Sequence, residues 1–172
     1  MHEIIERYFR EIIPNVEFIS LRLIQERTEN LSVRQNILQP VSTNLDVGAM
    51  ISVIHQGGLG YAGTSDLTKA GLLQAIKRAQ KWAQVCSERG ITHFDSTAMP
   101  HEVNHYTPPV VSDWSTTSLN DKIALLMNIS QSMKIDSKIV DWQASLKRFD
   151  TQSLYLTNAG GRIEQRLQHI MP

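Results

Sequence analysis

One short segment carries residues that could bind a metal and activate water. The run HEVNH at residues 101–105 matches the H-E-x-x-H pattern. On a helix, residues four apart share a face, so both imidazoles can bind one zinc ion while the glutamate acts as general base. One proline precedes the run directly and another follows three residues after it, which opposes a helix. We therefore predict a surface loop, and a self-contained zinc hydrolase using His101, Glu102 and His105 is kept as the alternative.

Two glycine-rich segments resemble ligand loops only superficially. Gly57, Gly58 and Gly60 lie between two apolar runs and lack the lysine that ends a phosphate-binding loop. Glycine supplies the positive φ that tight hairpins need, so we interpret these residues as a structural turn. Gly160 and Gly161 are interpreted in the same way, as a turn between two later strands.

The sequence contains one cysteine, so no internal disulfide can form. Cys86 lies on the apolar stripe of a predicted helix, which predicts a buried, unreactive thiol. Trp82 lies beside that stripe and is predicted to belong to the core. A lone cysteine favours a reducing compartment, so we expect a cytoplasmic protein.

The charge balance excludes some classes of partner. The 172-residue chain contains 17 Lys and Arg residues and 17 Asp and Glu residues, so it has no net charge. A nucleic-acid-binding protein needs a basic face, and no dense Lys/Arg cluster stands out. No apolar run approaches the length of a membrane span. We therefore expect neither nucleic acid nor a membrane as partner.

The elements that must position these residues follow from the apolar periodicity. Their predicted order is helix, four strands, helix, long loop, helix, three strands. Short turns between neighbouring strands indicate antiparallel sheets with helices packed on one face, which is an α+β fold. A turn at residues 28–30 is predicted to divide the first two strands, and a break after Lys147 to divide two later ones. The last strand, residues 162–170, has no following element to cover its edge.

Several segments resemble the TldD/PmbA family, once labelled modulators of DNA gyrase. Residues 57–68 resemble its glycine turn, short strand and helix start. The other matching segments are residues 47–53, 118–123, 139–145 and 156–161. The resemblance covers nearly the whole chain and implies an N-terminal domain at residues 1–172. Within it we distinguish a first half (1–90), a crossing loop (91–117) and a second half (118–172).

The resemblance implies an activity that this chain does not complete. Active family members are zinc metallopeptidases that cut peptides and unfolded segments, and their metal ligands lie beyond the N-terminal domain. We therefore expect no catalytic, cofactor-binding or metal residue in this chain, with zinc implied only for active full-length members. Some members lack the metal motif and act as partner subunits, so whether the chain serves an enzyme directly stays open.

The resemblance also implies partners. The expected partners are the remainder of the parent protein or a homologous subunit, with a peptide substrate in the assembled enzyme. The expected role is a contribution to dimer assembly and to a peptide-binding cavity. A further alternative is a module that binds a peptide by adding it as a strand to an open sheet edge.

Overall fold

The chain forms two units in a computed structural model that describes residues 1–94 and 100–172. The first unit comprises Met1–Gln25, Asp46–Tyr106 and Gln152–Gln165. The second comprises Glu26–Leu45, Thr107–Thr151 and Arg166–Pro172. Four long strands contribute residues to both units, so the units do not follow the order of the chain. The division into two halves and a crossing loop stays a prediction.

Three α-helices and seven strands account for the described fold. In chain order they are α1 (His2–Ile12), β1 (Phe18–Arg34), β2 (Ile37–Leu38), β3 (Ser42–His55), β4 (Gly58–Thr64), α2 (Lys69–Arg89), β5 (Val103–Tyr106), α3 (Leu119–Met133), β6 (Gln143–Thr157) and β7 (Arg162–Met171). The strand order is β4-β3-β1-β6-β7-β5, with β2 paired to β1. The predicted α+β class, with helices on one face of a mostly antiparallel sheet, is confirmed, and the order of elements matches.

Two predicted strand breaks are wrong. β1 runs unbroken through residues 28–30, and the chain turns instead at Gln35 and Asn36, where φ is 51° and 61°. β6 likewise continues past Lys147 to Thr157. Polar residues suggested the turn at residues 28–30, but a side chain of this segment has its partner within the second unit. Glu29 of β1 accepts a hydrogen bond from the indole N–H of Trp114 at 3.0 Å.

The predicted open edge of the last strand is also wrong over part of its length. β5 pairs in parallel with the first residues of β7, from Val103 beside Arg162 to Tyr106 beside Gln165. β5 arises within the predicted crossing loop, whose residues 95–99 lie outside the described residues. This pairing leaves β4 at one end of the described sheet and β5 at the other.

The core of the first unit is built by the sheet, α1 and α2. Helix α1 buries Ile5 and Phe9, and α2 buries an apolar stripe. That stripe consists of Leu72, Ala75, Ile76, Ala79 and Ala83. Thr68 caps the start of α2: its side-chain oxygen accepts from the Gly71 N–H at 3.1 Å and so satisfies one unpaired donor of the first turn. No helix in the described residues is long and apolar enough to cross a membrane.

The second unit has its own core and a paired carboxylate within β6. Its buried apolar residues are Leu31, Val33, Leu126 and Ala144. The Asp150 carboxylate accepts hydrogen bonds from Arg148 at 2.9 Å, Arg166 at 3.0 Å and Gln168 at 3.2 Å. The hydrogen bond from Arg166 holds the pKa of Asp150 below its ordinary value, against the opposing effect of burial. A charged residue can therefore lie inside a strand here, because its charge is matched.

Candidate functional site

The HEVNH run does not form the helix that its zinc chemistry requires. Residues 103–106 form β5, and the Arg162 N–H donates to the Glu102 carbonyl oxygen at 2.9 Å, which extends the same ladder. In extended chain, residues four apart are about 13 Å apart, whereas one helical turn brings them to about 6 Å. His101 and His105 therefore lack the shared helical face on which the motif depends.

The nearest polar cluster engages His105 in a different way. The Nδ1 of His105 lies 3.6 Å from the Glu164 carboxylate. The same carboxylate accepts hydrogen bonds from His2 at 3.1 Å and from Arg162 at 2.8 Å. Burial opposes the charge on Glu164, but the contributions of His2 and Arg162 outweigh it and hold its pKa below the ordinary value. The Glu164 carboxylate thus interacts with His2, His105 and Arg162, and these contacts link α1, β5 and β7.

No metal site emerges from the described part of the chain. There, no three His, Cys, Asp or Glu side chains come together in a group that could hold a metal ion. A catalytic zinc site needs three protein ligands in fixed geometry. The described side chains therefore do not bring together the three ligands that the zinc of a self-contained hydrolase needs.

The most distinctive surface of the first unit lies along β4. This strand stands at one end of the described sheet, so its outer backbone groups face away from β3. A groove of about 280 Å³ accompanies it. The groove is lined by Leu59, Gly60, Tyr61, Trp82 and Cys86. We call β4 together with these five residues the β4 edge.

Close contact between β4 and α2 creates this surface. Gln56 and Gly57, with φ of 51° and 75°, form the two-residue turn that pairs β3 with β4. Gly58 and Gly60 then lie in β4 itself. A Cβ at Gly58 would meet main-chain atoms of Ala83 and Ser87, and one at Gly60 would meet those of the preceding helical turn. The missing side chains thus allow the α2 backbone to lie directly on the strand.

Trp82 and Cys86 do not lie where the sequence predicted them. Trp82 is 58% exposed, and Cys86 is also exposed. The buried stripe of α2 ends at Ala83, because the next turn reaches Gly58, where β4 begins. Trp82, one residue before Ala83, lies on the flank of the helix. A periodicity argument places residues relative to a helix axis, and it cannot tell where the covering strand stops.

The other predicted turn glycines follow Thr157. Gly160 has φ of +92°, and a Cβ at this position would meet no atom within 4 Å. The Gly161 N–H donates to the Thr157 hydroxyl at 2.9 Å, and a Cβ there would lie 2.9 Å from the Pro100 carbonyl oxygen. These two glycines therefore shape the turn between β6 and β7, and they lie apart from the β4 edge in the sequence.

The second unit holds another apolar groove, between α3 and β6. It measures about 380 Å³, and its lining includes Leu125, Ile129 and Met133. Its polar lining side chains are those of Gln143 and Ser145, and none of its lining side chains is an acid, a base or a cysteine. The β4 edge differs because it combines exposed aromatic groups with an outer strand.

Comparison with known proteins supports the fold and the resemblance. Residues 19–83 match the model of the PmbA/TldA metallopeptidase domain 1. The predicted resemblance to the TldD/PmbA family is confirmed. This match includes β4 and most of α2, the elements that form the β4 edge. No curated protein matches the sequence.

Solved TldD/PmbA-type structures share the fold at low identity. A proposed modulator of DNA gyrase from Thermotoga maritima is 16% identical with a TM-score of 0.66, and one from Bacteroides thetaiotaomicron is 15% identical with a TM-score of 0.67. TldE from Thermococcus kodakarensis is 14% identical with a TM-score of 0.58. These matches cover 97–98% of this chain but only 36–38% of those chains. At such identities the likeness shows the fold alone.

Proposed function

We propose that this chain is the N-terminal domain of a cytoplasmic TldD/PmbA-type metallopeptidase or of its non-catalytic partner subunit, and that the catalytic zinc site lies outside this chain. In this role it contributes to a dimeric assembly and forms part of the wall of a peptide-binding cavity. Zinc-dependent cleavage belongs to the remainder of the parent protein or to a homologous subunit. Two observations support this division of labour. Residues 19–83 match the model of the family's domain 1, and the chain spans 37% of the solved structure from Thermotoga maritima.

The observation that carries the peptide-binding role is the β4 edge. An outer strand offers main-chain donors and acceptors that an extended peptide can pair with, whatever its sequence. Tyr61 of this strand is 66% exposed, and Trp82 of the adjoining α2 is 58% exposed. Exposed aromatic side chains next to a groove are typical anchors for a bound chain. The edge therefore supplies backbone pairing and apolar contact in one place.

A peptide-binding measurement tests this role directly. A fluorescein-labelled extended peptide rich in Val and Thr is titrated with the 172-residue chain, and anisotropy gives the Kd. A matched peptide with a central proline loses one N–H donor and should bind more weakly. The Trp82→Ala variant should weaken binding about fivefold or more, the loss typical of a buried aromatic anchor.

Leu73→Ala is the matched control for that variant. Leu73 is also an exposed apolar residue of α2, at 37% exposure, and helical geometry places it on the side opposite Trp82. Its truncation should leave the peptide Kd unchanged. Equal Kd values for wild type and Trp82→Ala, or equal binding of the proline peptide, would remove the β4 edge as a peptide site.

A further inference from the structure

Helix α2 is strongly basic in a chain whose charges otherwise balance. Its 21 residues contain five Lys or Arg side chains and one acidic side chain, Glu88. Lys69 is neutralised by Glu11, whose carboxylate lies 2.7 Å from its Nζ. Within the described residues, none of the other four cations pairs with a carboxylate. The helix therefore carries a net positive charge.

Part of this charge lies along the β4 edge. The Arg78 guanidinium donates to the Gly63 carbonyl oxygen at 2.9 Å, which places it near the last residues of β4. Arg89 follows eleven residues later, close to three full turns, and so lies on the same side of the helix. Lys81 lies one turn after Arg78. The groove thus has an apolar centre at Trp82 with cations toward both ends.

We propose that the β4 edge selects extended segments that carry acidic side chains on both sides of an apolar centre. This inference rests on the proposed peptide-binding role and names its substrate class. A rise of 1.5 Å per residue separates the Cα atoms of Arg78 and Arg89 by about 16 Å. An extended peptide covers that distance in about five residues. Carboxylates four or six residues apart lie on one face of such a peptide and span about this distance, so they can face both cations at once, which favours association and disfavours basic competitors.

A peptide fits these observations better than a nucleic acid does. Single strands of nucleic acid also use cations and aromatic groups, because their bases stack and their phosphates need neutralisation. The groove, however, runs beside an outer β-strand, whose regularly spaced main-chain groups match those of another extended chain. Backbone pairing along β4 is a contact that an oligonucleotide cannot reproduce.

Three labelled peptides of about nine residues test the charge preference. They share one apolar centre and carry Glu, Gln or Lys at two positions about four residues apart, one on each side of the centre, so that all three side chains lie on one face. Anisotropy titrations with the 172-residue chain are run near 0.02 M and 0.2 M salt. The Glu peptide should bind about three- to tenfold more tightly than the Gln peptide, as expected for two exposed ion pairs. The difference should shrink at the higher salt.

A charge-reversal variant sharpens the test. Arg78→Glu combined with Arg89→Glu should reverse the order, so that the Lys peptide binds most tightly. Lys138→Glu, which changes an exposed lysine of the second unit, should leave the order intact and serves as the matched control. Circular dichroism of each variant checks that the fold is retained.

The possible outcomes separate this inference from the proposed function. Equal binding of all three peptides overturns the acidic preference and leaves the peptide-binding role standing. Absence of binding by every peptide overturns both. An oligothymidylate that binds more tightly than the Glu peptide and displaces it overturns the choice of a peptide as occupant.

Discussion

Adding one methyl group at Gly58 should destabilise the protein more than adding it at Gly63, five residues further along the same strand. The Cβ of Gly58→Ala would lie 2.9 Å from the Ser87 Cα and closer still to two other main-chain atoms of α2. The Cβ of Gly63→Ala would have the Ala49 carbonyl oxygen as its nearest neighbour, at 4.0 Å, which is ordinary contact. The two substitutions therefore differ mainly in what the new methyl group meets.

The expected cost follows from what must move. Main-chain atoms of a helix cannot rotate away as the end of a side chain can, so α2 must shift outward or β4 must bend. Overpacking of this kind costs about 1–3 kcal/mol, and lost contacts along the buried stripe of α2 add to it. We expect about 2–3 kcal/mol for Gly58→Ala and more for Gly58→Val. Gly63→Ala should change stability by less than about 0.5 kcal/mol.

Urea denaturation followed by circular dichroism and by tryptophan fluorescence measures the difference. With a urea dependence of about 2 kcal/mol per molar, Gly58→Ala should lower the midpoint by about 1 M. Coincidence of the two probes checks that the transition is cooperative. Equal midpoints for Gly58→Ala and Gly63→Ala would show that α2 does not lie directly on β4, and the account of the β4 edge would fall with it.

Two further predictions concern zinc and pH. Calorimetric titration with zinc should show no stoichiometric high-affinity event, because HEVNH lies on extended chain; a tight one-to-one site abolished by His101→Ala would restore the hydrolase alternative. Asp150→Asn should destabilise the fold at pH 7 by about 1–3 kcal/mol, because charged hydrogen bonds to two arginines are lost. Because the pKa of Asp150 is lower in the folded protein, its ionised carboxylate stabilises the fold at pH values above the unfolded pKa of about 3.9. This contribution to the free energy of unfolding is lost as the pH falls through the lower folded pKa. Wild type and variant should therefore become equally stable in acid. A constant gap in urea midpoint between pH 7 and acid would contradict that assignment.

Local sequence signals predicted the order of elements well but not the ends of strands. The hairpin at Gly57 follows from turn chemistry, which acts over a few residues. The continuity of β1 and β6 does not, because it depends on partners far away in sequence, such as Arg166 for Asp150. The parallel pairing of β5 with β7 was equally hidden, since a four-residue strand within a proline-containing segment carries no periodic signal.

The β4 edge was missed for a related reason, and its origin links the sequence to the proposed role. Gly58 and Gly60 were interpreted as parts of a turn, whereas their spacing of two places both on the strand face that meets Ala79 and Ala83. Small residues on both sides let the helix backbone approach the strand. A side chain as large as Trp82 cannot enter so close an interface, and it lies on the flank beside the outer strand instead. The same packing that shortens the helix–strand distance thereby places an exposed indole and the neighbouring cations where an added strand would run.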